Sequence, residues 1–180
     1  MKDKATRKLV FIDETSAYVG QSREYGWAPS RERVHDVRPK GKKVRVSLIA
    51  ACGLGGVMAE QALIITDTVN KNALLCFLET TLLPTLAKGS ILVLDNWTVH
   101  HGDDVRDLVD AAGCELLYLP TYSPDLNPIE HLFAKIKTFI KRLRPDSTDA
   151  LVQAFGDALK TVSPHNVLNS VLHCGYELEL

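Results

Sequence analysis

The chain has 180 residues, 46% of them hydrophobic, enough for one domain with a core of its own. Basic and acidic residues nearly cancel to a formal net charge of −1, so a uniformly basic nucleic-acid coat is excluded and any polyanion must be met by local clusters. No apolar stretch approaches the length of a membrane span, and MKDKATRK at the N-terminus lacks the apolar region of a secretory signal, so the expectation is a cytoplasmic protein without membrane contact.

In chain order, KLVFIDE reads as a central strand that closes on Asp13. Residues 15–43 form a long irregular or hairpin region. With Arg45, this region carries a first basic cluster: Arg31, Arg33, Arg38, Lys40, Lys42 and Lys43, against only two acids. VRVSLIAACG and VMAEQALIIT flank GLGG and read as an antiparallel hairpin with a glycine-rich turn. No helix pattern follows those glycines, so a phosphate-cradling loop is not expected there. Asn70 to Ala87 places Leu74, Phe77, Leu78, Leu82 and Leu86 at helical spacing, and Lys88-Gly89 ends the run.

SILVLD is a strand closing on Asp95, residues 101–112 are a polar helix, and CELLYLP is another strand. Asn127 then serves as an N-cap, Pro128 fits the first helical turn, and Glu130 falls at the third helical position. Behind it Ile129, Leu132, Phe133, Ile136, Ile140 and Leu143 make an apolar stripe, while Lys135, Lys137, Lys141, Arg142 and Arg144 form a second cluster with no acid among them. After the break at Pro145, a helix spans Thr148–Val162, and Ser163-Pro164 opens a short last one to about His173. Cys52, Cys76, Cys114 and Cys174 contain no CxxC pair and read as buried free thiols, not zinc ligands.

Two strand-end aspartates and one helix-borne glutamate, beside positive charge, are the parts of a metal-dependent nuclease or strand-transfer site. Each acid has a plainer reading. Asn127 to Glu130 also fits a capping box, with the glutamate reaching back to the cap amide, and an aspartate often closes a buried strand simply as a loop starter. Capping does not call for all three together on separate elements. Three acids suffice for Mg²⁺ or Mn²⁺, which take carboxylate and water oxygens and few protein ligands. Asn96 and His100 are candidates for supporting those acids or touching DNA. Glu14 points to the opposite face by strand alternation and is expected outside the site.

FIDET followed by YGWAP, then VLDNWTVHH, then LPTYSPDLNPIEHLFAKIK, together resemble the DDE superfamily of transposases and integrase-like nucleases, in its mariner-like bacterial insertion-sequence branch. The resemblance runs from about Lys8 to Leu143, with 34 residues between Asp95 and Glu130 as in that branch. Trp97, Thr121 and Phe133 stand where a small residue, proline and tryptophan are common. The resemblance implies that Asp13, Asp95 and Glu130 bind two catalytic Mg²⁺ or Mn²⁺ ions. It implies an α/β, ribonuclease H-like fold, a mixed five-stranded sheet flanked by helices with the first and fourth strands side by side. Residues 1–145 would be the catalytic core and 146–180 a C-terminal helical extension packed on it.

The function implied is that of a transposase catalytic domain, cleaving DNA strands and transferring them to a target. The basic clusters, Arg31–Arg45 and Lys135, Lys137, Lys141 and Arg142, would track the phosphates of double-stranded DNA. Further expectations are a homo-oligomeric active complex, nucleoid association when DNA is bound, and a separate N-terminal helix-turn-helix protein or segment. No room precedes Asp13 for such a module, as in an excised domain, a truncated copy or the product of a split gene. A metal-dependent phosphohydrolase fits less well, because Asp13-Glu14-Thr15 lacks its usual second acid two residues on. A domesticated DNA-binding or assembly module with relic acids is the non-catalytic alternative.

Overall fold

The computed structural model describes residues 9–23, 25–35, 44–54 and 60–177. Arg38, Lys40, Lys42 and Lys43 of the first basic cluster lie outside the described residues. The elements are β1 (Leu9–Tyr18), β2 (Arg45–Gly53), β3 (Ala62–Ile65), α1 (Lys71–Phe77), β4 (Ile91–Leu94), α2 (Asp103–Ala111), β5 (Glu115–Tyr118), α3 (Pro128–Leu143), α4 (Thr148–Lys160) and α5 (Pro164–His173). The strands form one sheet in the order β3-β2-β1-β4-β5. β1 runs antiparallel to β2 and parallel to β4, and β4 runs parallel to β5.

Strand alternation divides the sheet's side chains between two cores. Phe11, Leu48, Ala50, Cys52 and Val93 face α3, α4 and α5. Val10, Ile12, Ile49, Ala51, Leu92 and Leu94 face α1 and α2. A sheet covered on both sides needs strands that are apolar on both faces, which is why LIAAC, Leu48 to Cys52, reads as a continuous apolar run. Leu151, Phe155, Ala158, Val167 and Val171, from α4 and α5, belong to the same core as Leu132, Phe133 and Ile136 of α3. Residues 148–173 thus share the interior of the sheet-bearing part.

Three local expectations need correction. β1 does not close on Asp13 but continues to Tyr18, because Thr15 to Tyr18 go on pairing with β2 as far as Arg45. β3 is only four residues long and occupies the C-terminal half of the expected strand. The helix expected over residues 70–87 is α-helical only to Phe77; a π-helical turn, Leu78–Leu82, and a 3₁₀ turn, Leu83–Thr85, follow. Pro84 has no N–H to continue the ladder, and its ring excludes the preceding α-turn. The apolar face nevertheless stays buried, through Leu74, Phe77, Leu78 and Leu82.

All four cysteines are free thiols, but only Cys52 and Cys114 are buried; Cys76 is exposed on α1 and Cys174 is half-buried. Gly53 ends β2 where a Cβ would come within 2.8 Å of the Leu9 carbonyl oxygen, so close approach of two strands accounts for the first glycine of GLGG. Among the described residues no helix is long and apolar enough to cross a membrane.

Candidate functional site

The pairing of β1 with β4 aligns the two aspartates. Phe11 lies opposite Val93 in the parallel ladder, so Asp13 and Asp95 each come two residues later along the neighbouring segments. β4 ends at Leu94, and beyond that point β1 has a strand partner only on the β2 side. A cleft of about 340 Å³ opens there, lined by Asp13, Asp95, Asn96 and Trp97, the loop Leu119–Pro124, Asn127 and Glu130. The three acids therefore come together on one surface from β1, the end of β4 and the first turn of α3.

Asp13 is buried, with 7% exposure, on the sheet face that α3 covers. Its Oδ1 accepts the Glu14 backbone N–H at 2.7 Å, and its Oδ2 accepts an amide N–H of Asn127 at 2.9 Å. Asp95 is half-buried and held through one oxygen: Oδ1 accepts from His100 Nδ1 at 2.7 Å and from the Trp97 backbone N–H at 3.1 Å. Glu130 is exposed at the N-terminus of α3, where the helix dipole favours a carboxylate.

Burial pushes the Asp13 carboxyl up to about 8 against the Glu14 backbone hydrogen bond, and the charges of Glu14, Glu130 and Asp95 push it further the same way. Asp95 is held below the ordinary carboxylate value chiefly by its hydrogen bond from His100, with the Trp97 amide and the charges of His100 and His101 adding to the effect against burial. As they stand, no three His, Cys, Asp or Glu side chains among the described residues are drawn close enough to grip one ion. Separate hydrogen bonds, from Asn127 to Asp13 and from His100 to Asp95, hold the two aspartates in place.

His100 is fully buried behind Asp95, in the 3₁₀ turn Thr98–His100. Its Nε2 lies 2.9 Å from Glu14 Oε1, so both ring nitrogens face carboxylate oxygens and both N–H groups donate. Burial alone would discharge the ring; the hydrogen bonds with Asp95 and Glu14, the Glu14 charge and the Asp95 carbonyl outweigh it and push His100 up to about 10. Glu14 does lie on the opposite sheet face from Asp13 and does not line the cleft, yet it is tied to Asp95 through this ring. Asn96 lines the cleft, and its Oδ1 accepts from His101 Nε2 at 2.6 Å; His101 in turn stacks on Tyr118. The Tyr118 hydroxyl donates to the His100 carbonyl, fixing the turn from below.

Asn127 departs from its expected part. It caps α3 by position, but its side chain makes no capping hydrogen bond, and its backbone N–H donates to the Pro124 carbonyl. The capping box is therefore not formed, and the side-chain amide is given over to Asp13 instead. The sequence signal was present in the asparagine itself; nothing in the local pattern says that it turns to a strand 114 residues away.

The cations differ among themselves. Arg31 and Arg33 are exposed, and Arg45 stacks over Tyr18 while donating to Thr68 at 3.3 Å. Lys135 is exposed but tied to the protein's own surface: its ammonium donates to the Thr161 carbonyl and to Asn166 Oδ1, each at 2.6 Å. Lys137 and Lys141 are half-buried and Arg142 is exposed; Lys141 shares a shallow pocket with Arg23, Tyr25 and Thr138.

Residues 8–152 match the family described as DDE superfamily endonuclease. Among curated proteins, the chain is similar to the Tc1 transposable element transposase of Caenorhabditis elegans, with 31% identity over 98 residues, and to the Tcb2 transposase of Caenorhabditis briggsae, with 26% over 99. These matches cover 52% and 53% of this chain and 36% of each relative, so the chain spans about a third of the length of the curated relatives it matches. Among solved structures, the Mos1 strand transfer complex superposes with a TM-score of 0.73 at 20% identity, over 93% of this chain and 51% of that one. A mariner Mos1 paired end complex with Mg gives 0.72 at 19%, over 96% and 56%. The catalytic domain of Mos1 mariner transposase gives 0.57 at 20%, over 96% and 86%. At these identities the structural likeness is one of fold, and the fold is the ribonuclease H-like one, a mixed five-stranded sheet flanked by helices.

Proposed function

The chain belongs to the DDE superfamily endonucleases, and on that premise we propose that it is the catalytic domain of a transposase. It would cut strands at the ends of a mobile element in double-stranded DNA and join the freed 3′-hydroxyl to a target. The observation that carries this reading is the meeting of Asp13, Asp95 and Glu130, from three separate elements, on one cleft, where Asp13 feels the charge of both the others.

The donor set suits a divalent cation. Three carboxylates offer hard oxygens of the kind that Mg²⁺ and Mn²⁺ prefer. Asp95 commits only Oδ1 to the protein, so among the described residues Oδ2 has no hydrogen-bond partner. Asp13 holds its proton to about pH 8 because it is buried among acids, a state that a cation would relieve. Asp13, Asp95 and Glu130 would hold two ions. When bound, such a pair activates the attacking oxygen and stabilises the leaving 3′-oxygen of an in-line displacement. The Mos1 transposase has been solved in complexes with Mg and with Mn, which supports the same choice of metal here.

The protein's own part is to place these acids and the DNA. His100 and the Trp97 amide fix Asp95 by one oxygen, and Asn127 and the Glu14 amide fix Asp13. Asn96 lines the cleft where a DNA strand would enter. Arg31, Arg33, Arg38, Lys40, Lys42, Lys43, Arg45, Lys137, Lys141 and Arg142 supply charge for the phosphate backbone. Paired end and strand transfer complexes of Mos1 support an oligomeric assembly on DNA ends, and a separate helix-turn-helix segment or protein would recognise those ends. That work would put the chain in the cytoplasm, at the nucleoid.

The test is nicking of supercoiled plasmid and joining of a precut 3′-hydroxyl end, with Mg²⁺ or Mn²⁺ and with a chelator. Metal-dependent activity is expected, abolished in Asp13→Ala, Asp95→Ala and Glu130→Ala. Full nicking by Asp95→Ala would remove the assignment of the acids. DNA binding with no cleavage under any metal would leave the chain as a DNA-binding or assembly module.

A further inference from the structure

We propose that Glu14 is a positioning residue for the metal site, acting through His100 on Asp95. The inference rests on the reading of Asp95 as a metal-holding residue. Its own support is a chain of contacts that runs from β1 through a fully buried ring to the cleft. Glu14 Oε1 lies 2.9 Å from His100 Nε2, and His100 Nδ1 lies 2.7 Å from Asp95 Oδ1. The ring is fully buried and the Glu14 side chain is 11% exposed, so water is kept from the Glu14–His100 bond, while the Asp95 side chain, 47% exposed, opens to the cleft.

The geometry decides what the chain of contacts does. A carboxylate can rotate about its last bond and offer either oxygen, or both, to a cation. With the His100 ring and the Trp97 amide both on Oδ1, that oxygen is turned inward and the other is left for the cleft. An imidazole on its own can tilt in its plane and rotate about its side-chain bonds. Glu14 grips the far nitrogen, from the strand that also carries Asp13, and so fixes the ring's direction and keeps Nδ1–H aimed at Asp95. A hydrogen-bonding partner behind a ligand orients the ligand and raises its hold on the ion, and removal of such partners typically costs about 10- to 100-fold in metal affinity.

Adjacent residues of one strand thereby act on both aspartates. Asp13 faces the cleft directly, and Glu14, on the other face, reaches Asp95 round the end of β4. A shift of β1 relative to β4 would move both, so the spacing of the two acids is tied to a single strand.

The alternative is a buried ion pair that merely pins the 3₁₀ turn to the sheet. Mn²⁺ binding to the intact chain, followed by electron paramagnetic resonance of the free ion, separates the two, with thermal unfolding measured alongside. Glu14→Ala is expected to weaken Mn²⁺ binding about tenfold or more at temperatures where the variant is folded. Glu14→Gln keeps an oxygen acceptor for Nε2–H and is expected to restore most of that affinity. His100→Asn keeps a donor near the Nδ1 position but cannot reach Glu14, so in that background Glu14→Ala should weaken binding no further.

Wild-type Mn²⁺ affinity in Glu14→Ala, where Asp95→Ala has lost it, would overturn the inference and leave the pinned turn. A loss in Glu14→Gln as deep as in Glu14→Ala would also overturn it, since charge and not the grip on the ring would then matter. Unchanged affinity in Asp95→Ala itself would instead remove the metal-site reading on which the inference stands. Should Glu14→Ala fail to fold, the comparison of Glu14→Gln with His100→Asn still decides the matter: the first should bind Mn²⁺ more tightly than the second.

Discussion

Two buried groups at the site carry opposite pH signatures. Asp13 keeps its proton to about pH 8 in the folded chain, against 3.8 for an ordinary aspartate, because it is buried beside other acids. Between those values unfolding releases a proton, so this group lowers stability progressively as pH rises from about 4 to about 8. Asp13→Asn should therefore match the wild type below pH 4 and be more stable at pH 8 in chelator. Each kcal/mol gained would raise the melting temperature by roughly 2–4 °C for a chain of this size. Urea unfolding at the two pH values checks it, and equal stabilities at pH 8 would show that Asp13 is not strained by its charge.

His100 runs the other way: its value, raised to about 10 from 6.5, gives stability that is complete below pH 6.5 and lost as pH rises through 10. His100→Gln should flatten the fall in wild-type stability over that upper window, as read by the same unfolding curves. Asn127 adds a third case. Its Oδ1 is buried with no hydrogen-bond partner among the described residues, an arrangement that costs stability and that an N-cap facing its own helix would not incur. What the residue retains in exchange is its N–H on Asp13.

At the scale of elements, α3 divides three tasks among its faces. Ile129, Leu132, Phe133, Ile136 and Ile140 are buried against the sheet and α4, so Ile136→Ala should cost about 2–5 kcal/mol in denaturant unfolding. The first turn presents Glu130 to the cleft. The cations of the remaining surface separate by what they touch. Lys135 ties the C-terminal end of α4 to the capping box of α5, so Lys135→Met should lower stability by about 1 kcal/mol. It should leave the slope of log affinity for DNA against log salt unchanged. Arg142→Ala should do the reverse, lowering that slope by about one unit with little effect on stability. Titration of a labelled duplex at several salt concentrations distinguishes the two, and an equal loss of slope in Lys135→Met would return that lysine to the DNA surface.

At the scale of the whole molecule, the candidate site exists only when the sheet is complete, since its acids come from residues 13, 95 and 130. The proposed DNA surface is different in kind, being charge spread over separate segments that would be met by phosphates, which carry no sequence information. Affinity for DNA should thus fall steeply with salt, and this chain alone should bind an element's terminal repeat and a random duplex about equally. A preference for one sequence that persists at elevated salt would show that the core itself reads bases.

The sheet flanked by helices was implied by the family resemblance; the sequence by itself determined the element order, the α3 stripe and the placing of one acid at each of three elements. Each of these is written in local patterns: alternation along a strand, apolar spacing along a helix, Asn-Pro at a helix start. Their failures are local too: Ser16 and Tyr18 continue the β1 ladder where a run ending in acids suggested a stop, and Pro84 turned one expected helix into π and 3₁₀ turns. Only the tertiary structure decided that Glu14 meets His100, 86 residues away, and that Asn127 turns from its own helix to Asp13. It also decided that Lys135 caps a neighbouring helix. A polar side chain has several partners within reach of its type, and which one it takes depends on what folding buries beside it. No pattern of neighbours along the chain records that choice.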